Sequence, residues 1–118
     1  MKTTLRALLI AISVGCLSTA NADMFPPVDL TCSSDKEVGI FENHTNSDAL
    51  LIIQGSDHCT GGDSVIIVHT KAPLSDIKLW IPDGTTKTFS VAVSASMKVG
   101  FKCNGHGDGK CTYVIARQ

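Results

Sequence analysis

Thr86-Lys87-Thr88-Phe89-Ser90-Val91-Ala92-Val93-Ser94, then Met97-Lys98-Val99-Gly100-Phe101-Lys102-Cys103, then Cys111-Thr112-Tyr113-Val114-Ile115-Ala116, decide the fold. In each run the apolar residues fall on alternate positions. Successive side chains of a strand point to opposite faces, so Phe89, Val91 and Val93 share a face, as do Met97, Val99, Phe101 and Cys103, and Cys111, Tyr113 and Ile115. Set as a hairpin with Cys103 opposite Cys111, the last two runs place Phe101 against Tyr113 and Val99 against Ile115. Register and apolar pattern then agree, which supports a Cys103–Cys111 bridge.

Working outward, four further runs read as strands: Val38–Glu42, Ala49–Gln54, Ser64–Thr70 and Ile77–Ile81. The breaks between runs are rich in Gly, Pro, Asn, Asp and Ser, each of which favours a turn. No segment keeps a helical period over ten or more residues. The pattern predicts an all-β domain, a small antiparallel β-sandwich of immunoglobulin-like architecture with about seven strands and two disulfides. Met24–Leu30, with Pro26-Pro27, reads as an extended lead-in. Leu50-Leu51-Ile52-Ile53 and Val65-Ile66-Ile67-Val68 are apolar on both faces, which predicts central strands covered on both sides; burial against a partner or a second copy (a homodimer) is the alternative.

Residues 1–22 read as a secretory signal peptide that is removed: Lys2 and Arg6, the apolar run Ala7–Leu17, then small residues ending Ala20-Asn21-Ala22. Of 118 residues this leaves 118 − 22 = 96, numbered 23–118, enough for one domain. Cys16 leaves with the leader. Cys32, Cys59, Cys103 and Cys111 remain, an even number in a short chain bound for an oxidising compartment, periplasmic or extracellular. With Cys103 and Cys111 paired, elimination joins Cys32 to Cys59, although four cysteines allow three connectivities. Without Lys2 and Arg6, eight basic residues face eleven acidic ones, and no basic stripe forms, which argues against nucleic acid. No second apolar run is long enough for a membrane span in the mature chain.

Three constellations could carry chemistry. Cys103-Asn104-Gly105-His106-Gly107-Asp108-Gly109-Lys110-Cys111 holds two thiols, an imidazole and a carboxylate, adequate for a metal at His106 and Asp108 if the cysteines are reduced. A disulfide-closed glycine loop is the plainer account. His58, beside Cys59 with Asp57 and Asp63 near, could approach His106 if the loops cluster. With Lys110 the pair would suit acid–base cleavage of a phosphodiester, a small nuclease-like hydrolase. Gly62-Asp63-Ser64 resembles a serine-hydrolase turn, but 96 residues are too few for that scaffold. Trp80, beside Lys78, falls on the outer face if Ile77, Leu79 and Ile81 point inward. An exposed Trp with a neighbouring cation suits a binding surface. Asn43-His44-Thr45 is a glycosylation acceptor in a loop.

The leading expectation is an exported, non-catalytic binding module that engages a protein or glycan and needs no cofactor. The alternatives are the hydrolase using His58 and His106, and a metal-binding protein centred on the Cys103–Cys111 loop.

Overall fold

The computed structural model describes residues 23–32 and 36–118; the leader read over residues 1–22 lies outside them. The described chain is built of strands: β1 (Asp23–Met24), β2 (Val28–Thr31), β3 (Val38–Glu42), β4 (Ala49–Asp57), β5 (Ser64–His69), β6 (Ile77–Ile81), β7 (Thr86–Val93), β8 (Lys98–Lys102) and β9 (Lys110–Arg117). Every pairing is antiparallel. One sheet runs β1-β9-β4-β7, with β2 also paired to β9, and the other runs β3-β8-β5-β6. Strands β2 to β9 therefore follow the order of a jelly roll, in which each connection except β5–β6 crosses between sheets. Among the described residues no helix is long and apolar enough to cross a membrane.

Alternation sorts the residues between core and solvent. Leu51 and Ile53 of β4, Ile66 and Val68 of β5, Val99 and Phe101 of β8, and Tyr113 and Ile115 of β9 fill the space between the sheets. Phe101 and Tyr113 meet edge to face, ring centroids 5.6 Å apart and planes at 64°, a favourable arrangement of their quadrupoles. They do not meet across a hairpin. β8 pairs with β3 and β5, whereas β9 pairs with β4, β1 and β2. The expected Phe101–Tyr113 contact and Cys103–Cys111 bridge both form, but across the gap between sheets. Parity along a strand decides which face a side chain takes, and both geometries use the same face.

The lead-in supplies two strands, because its backbone pairs with β9 on both sides of Pro26-Pro27. The two doubly apolar strands differ. β5 is covered on both faces: Val65 lies between Trp80 and Lys102, and Ile67 between Lys78 and Gly100. β4 is central in its sheet yet covered on one face only, with Leu50 43% exposed on the other.

Candidate functional site

Strands β2, β4, β6 and β8 all deliver their C-terminal ends to one end of the sandwich. The loops that follow are knitted together there. Thr60 and His106 exchange backbone hydrogen bonds of 2.9 and 2.8 Å, and His58 N–H donates to Lys110 O at 2.9 Å. Gly61 N–H donates to Asp83 Oδ2 (3.1 Å), Asp83 N–H to Asp63 Oδ1 (2.9 Å), and Asn104 Nδ2 to Asp63 O (2.7 Å). These bonds satisfy backbone groups that loops otherwise leave to water.

Both disulfides lie beneath these loops. Cys32 pairs with Cys59 and Cys103 with Cys111, with Cα atoms 5.7 and 5.8 Å apart. Cys59 Sγ sits 3.5 Å from Cys103 Sγ and 3.8 Å from Cys111 Sγ, so the two bridges touch. Beside them Asp57 is fully buried. Its Oδ1 accepts from Cys59 N–H and its Oδ2 from the Ser64 hydroxyl, each at 2.8 Å. Ser64 Oγ in turn accepts from Asn104 N–H at 3.1 Å and lies 3.3 Å from Cys111 Sγ. A buried carboxylate is tolerable because such charge-assisted bonds replace its water.

The sequence candidates fall around this cluster. His58, His106 and Asp108 are all exposed. Their loops do come together, but the His106 ring packs over Gly61. That glycine has φ +88°, and a Cβ there would stand 2.8 Å from the ring. Among the described residues no hydrogen bond joins His58 or His106 to a carboxylate. Asp57 and Asp63 are occupied as described, and Lys110 Nζ lies 3.5 Å from Asp29 Oδ2 instead. Cys103 and Cys111 are bridged as expected, so their two sulfurs bind each other and are not free thiolates. Among the described residues, the groups of three ligand atoms close enough for an ion are Cys32–Cys59–Cys103 and Asp57–Cys59–Cys111, neither with His106 or Asp108.

Trp80 is 51% exposed on the outer face of the second sheet, with Lys78 also exposed. On the same face, sequence reading missed a cluster that only folding assembles. His69 Nδ1 meets Asp76 Oδ2 at 2.9 Å, and its Nε2 makes a close contact with Glu37 Oε2. Hydrogen bonding to Glu37, opposed by burial and reinforced by the charges of Glu37 and Asp76, raises the pKa of His69. Glu37 precedes it by 32 positions, so no local pattern could announce the contact. Asn43 is enclosed rather than displayed. It is 1% exposed, its Nδ2 donates to Ser47 O and Val93 O at 2.8 Å, and its Oδ1 accepts from Thr45 N–H and the Thr45 hydroxyl. An Asn so used is a structural part of the 43–48 loop.

No family model matches the chain, and no curated protein matches it. Among solved structures it is similar to a protein from the work described as "Bacillus endospore appendages form a novel family of disulfide-linked pili", at 14% identity and a TM-score of 0.55. The match covers 81% of this chain and 84% of that one. At this identity the likeness is one of fold alone.

Proposed function

We propose that this chain is an exported, non-catalytic module that engages a protein partner, in the first instance another copy of itself, by strand addition along β7. The observation that carries this reading is the contrast among the sheet edges. Folded proteins blunt exposed edges with prolines, bulges, charges or short strands. The β1–β2 edge is interrupted by Pro26-Pro27, β3 carries a bulge between Gly39 and Phe41, and β6 is short and stopped by Pro82. β7 has no proline, no bulge and is not short. It runs eight residues in unbroken register with β4, with Lys87 its one charge.

The face beside that edge fits the same reading. The outward residues of β7 and β4 are Thr86, Thr88, Ser90, Ala92, Leu50, Ile52, Gln54 and Ser56, all uncharged, and β9 adds Thr112, Val114 and Ala116, with Lys110 at its start set against Asp29. Antiparallel self-pairing about Ser90 would set Lys87 opposite Val93, so no lysine faces its copy. Export is supported by the leader reading of residues 1–22 and by two buried disulfides. The fold neighbour, named for disulfide-linked pili, supports an extracellular assembling module. A second reading rests on Trp80, whose half-exposed ring beside Lys78 suits a protein or glycan contact.

The test is mass in solution against concentration. The unmodified chain is expected to form dimers or longer species. A Thr88→Lys, Ser90→Lys variant, altering two exposed β7 side chains, should stay monomeric. An unmodified chain that remains monomeric to about 1 mM overturns strand addition. Loss of a glycan or protein ligand on Trp80→Ala, with assembly intact, would move the function to the Trp80 face.

A further inference from the structure

The end of the sandwich opposite the disulfides carries the loop 70–76, which joins β5 to β6 as a hairpin. Leu74 N–H donates to Lys71 O at 2.9 Å, closing a turn with Ala72 and Pro73 at its centre. Leu74 is 69% exposed, the most of any large apolar side chain among the described residues, and Ile77 and Trp80 follow at 50% and 51%. These three share the tip of a hairpin rather than a face of the sheet. Ile77 lies opposite Val68 on the core side, and Trp80 opposite Val65 on the outer side. A flat partner would cover one side only. The tip also leaves little backbone for water to bond. Pro73 has no N–H, the Leu74 N–H is used, and the Thr70 hydroxyl is shared between Leu74 O at 3.1 Å and Ser75 O at 2.8 Å. Asp76, the one acid between Thr70 and Ile81, is held by Thr70 N–H at 3.2 Å and meets His69 Nδ1 at 2.9 Å. Lys71 and Lys78 are exposed, and neither pairs with a carboxylate among the described residues.

We infer that this hairpin tip is a membrane-docking element, which inserts Leu74 and Ile77 into the interface of a lipid bilayer with anionic headgroups. Irregular backbone enters apolar surroundings only where its polar groups are already bonded. The Leu74 N–H and carbonyl meet that condition. Three residues of strand set Trp80 about 10 Å behind Ile77, which puts it at headgroup level when the tip sinks about 5–10 Å. That is the level at which tryptophan accumulates in membrane proteins. Lys71 and Lys78, on long apolar stems, meet lipid phosphates there. Asp76 is engaged by His69, so the tip brings no unpaired carboxylate to an anionic surface. Docking is peripheral, and it does not rest on assembly at β7.

Trp80 is the one tryptophan of the chain, so its emission reports on the site directly. The experiment titrates the folded, unmodified chain, dilute enough to be monomeric, with vesicles of phosphatidylcholine and phosphatidylglycerol in equal parts. The chain should sediment with the vesicles, and the Trp80 emission should shift to the blue. Leu74→Ser, a change at an exposed side chain with unfolding by urea as the check on the fold, should weaken binding about tenfold. Lys71→Gln with Lys78→Gln should remove the preference for these vesicles over phosphatidylcholine alone. A chain that binds neither kind of vesicle overturns the inference. Full-strength binding by Leu74→Ser also overturns it, because the contact then lies elsewhere on the molecule. Equal binding of the unmodified chain to phosphatidylcholine alone overturns the anionic surface. A blue shift that appears without lipid as the chain is concentrated, and is lost in Leu74→Ser, assigns the tip to a contact between copies instead.

Discussion

The loop end of the sandwich and the β7 edge treat their polar groups in opposite ways. At the loop end, backbone N–H groups find carboxylates and carbonyls from neighbouring loops, and two bridges lie beneath. Along β7, one side of the strand pairs with β4, and no strand among the described residues pairs with the other. The loops look exposed and chemically rich, yet their groups are engaged in holding one another. The plain Thr/Ser/Val strand keeps its bonding capacity open. Residue type alone misleads about where a partner can bind.

The largest expected effect breaks the saturated end. Loss of the Cys32–Cys59 bridge by paired Ser substitution should cost about 3.5 kcal/mol on the loop-closure argument, because it spans 27 residues. The Cys103–Cys111 bridge spans 8 and should cost less, about 2.5 kcal/mol. Urea denaturation of the two variants checks the order, and equal losses would show that contact between the bridges outweighs chain entropy. Next comes Asp57→Ala, which strands the Cys59 N–H and the Ser64 hydroxyl in a buried site. About 2–3 kcal/mol should be lost; a loss under about 0.5 kcal/mol would mean that water replaces the carboxylate.

A smaller effect depends on pH. The His69 pKa is raised above the ordinary imidazole value of 6.5, so the protonated ring is favoured by folding. Its contribution is fully present below about 6.5 and fades as pH rises through the higher folded value. The unmodified chain should therefore lose stability between pH 6 and pH 8, and His69→Gln should narrow that gap. An unchanged gap would assign it to other groups. The smallest effect on stability belongs to β7. Thr88→Lys with Ser90→Lys should shift unfolding by no more than about 0.5 kcal/mol, while removing assembly. Comparable losses at both regions would erase the distinction between them.

Much of the framework was legible. The runs Val38–Glu42 and Ile77–Ile81 are β3 and β6 to the residue, and the remaining five lie within a few residues of β4, β5, β7, β8 and β9. β1 and β2 were not, because Pro26-Pro27 interrupts any alternation and pairing to β9 alone makes them strands. His58 and His106 were legible as neighbours through their loops, but the packing of His106 over Gly61 was not. The buried role of Asp57 carries no signal in a loop that also contains Asp63.

By itself the sequence determined where strands begin, which residues face inward and which cysteines could pair, since alternation and turn chemistry act over a few residues. Tertiary structure decided which sheet each strand joins, because a crossing connection and a hairpin leave the same alternation behind. That choice separates β8 from β9, brings four sulfurs from four segments together, and leaves β7 at an edge. Each of these is a contact between distant positions, fixed by how the sheets close over the core rather than by any residue's neighbours in the chain.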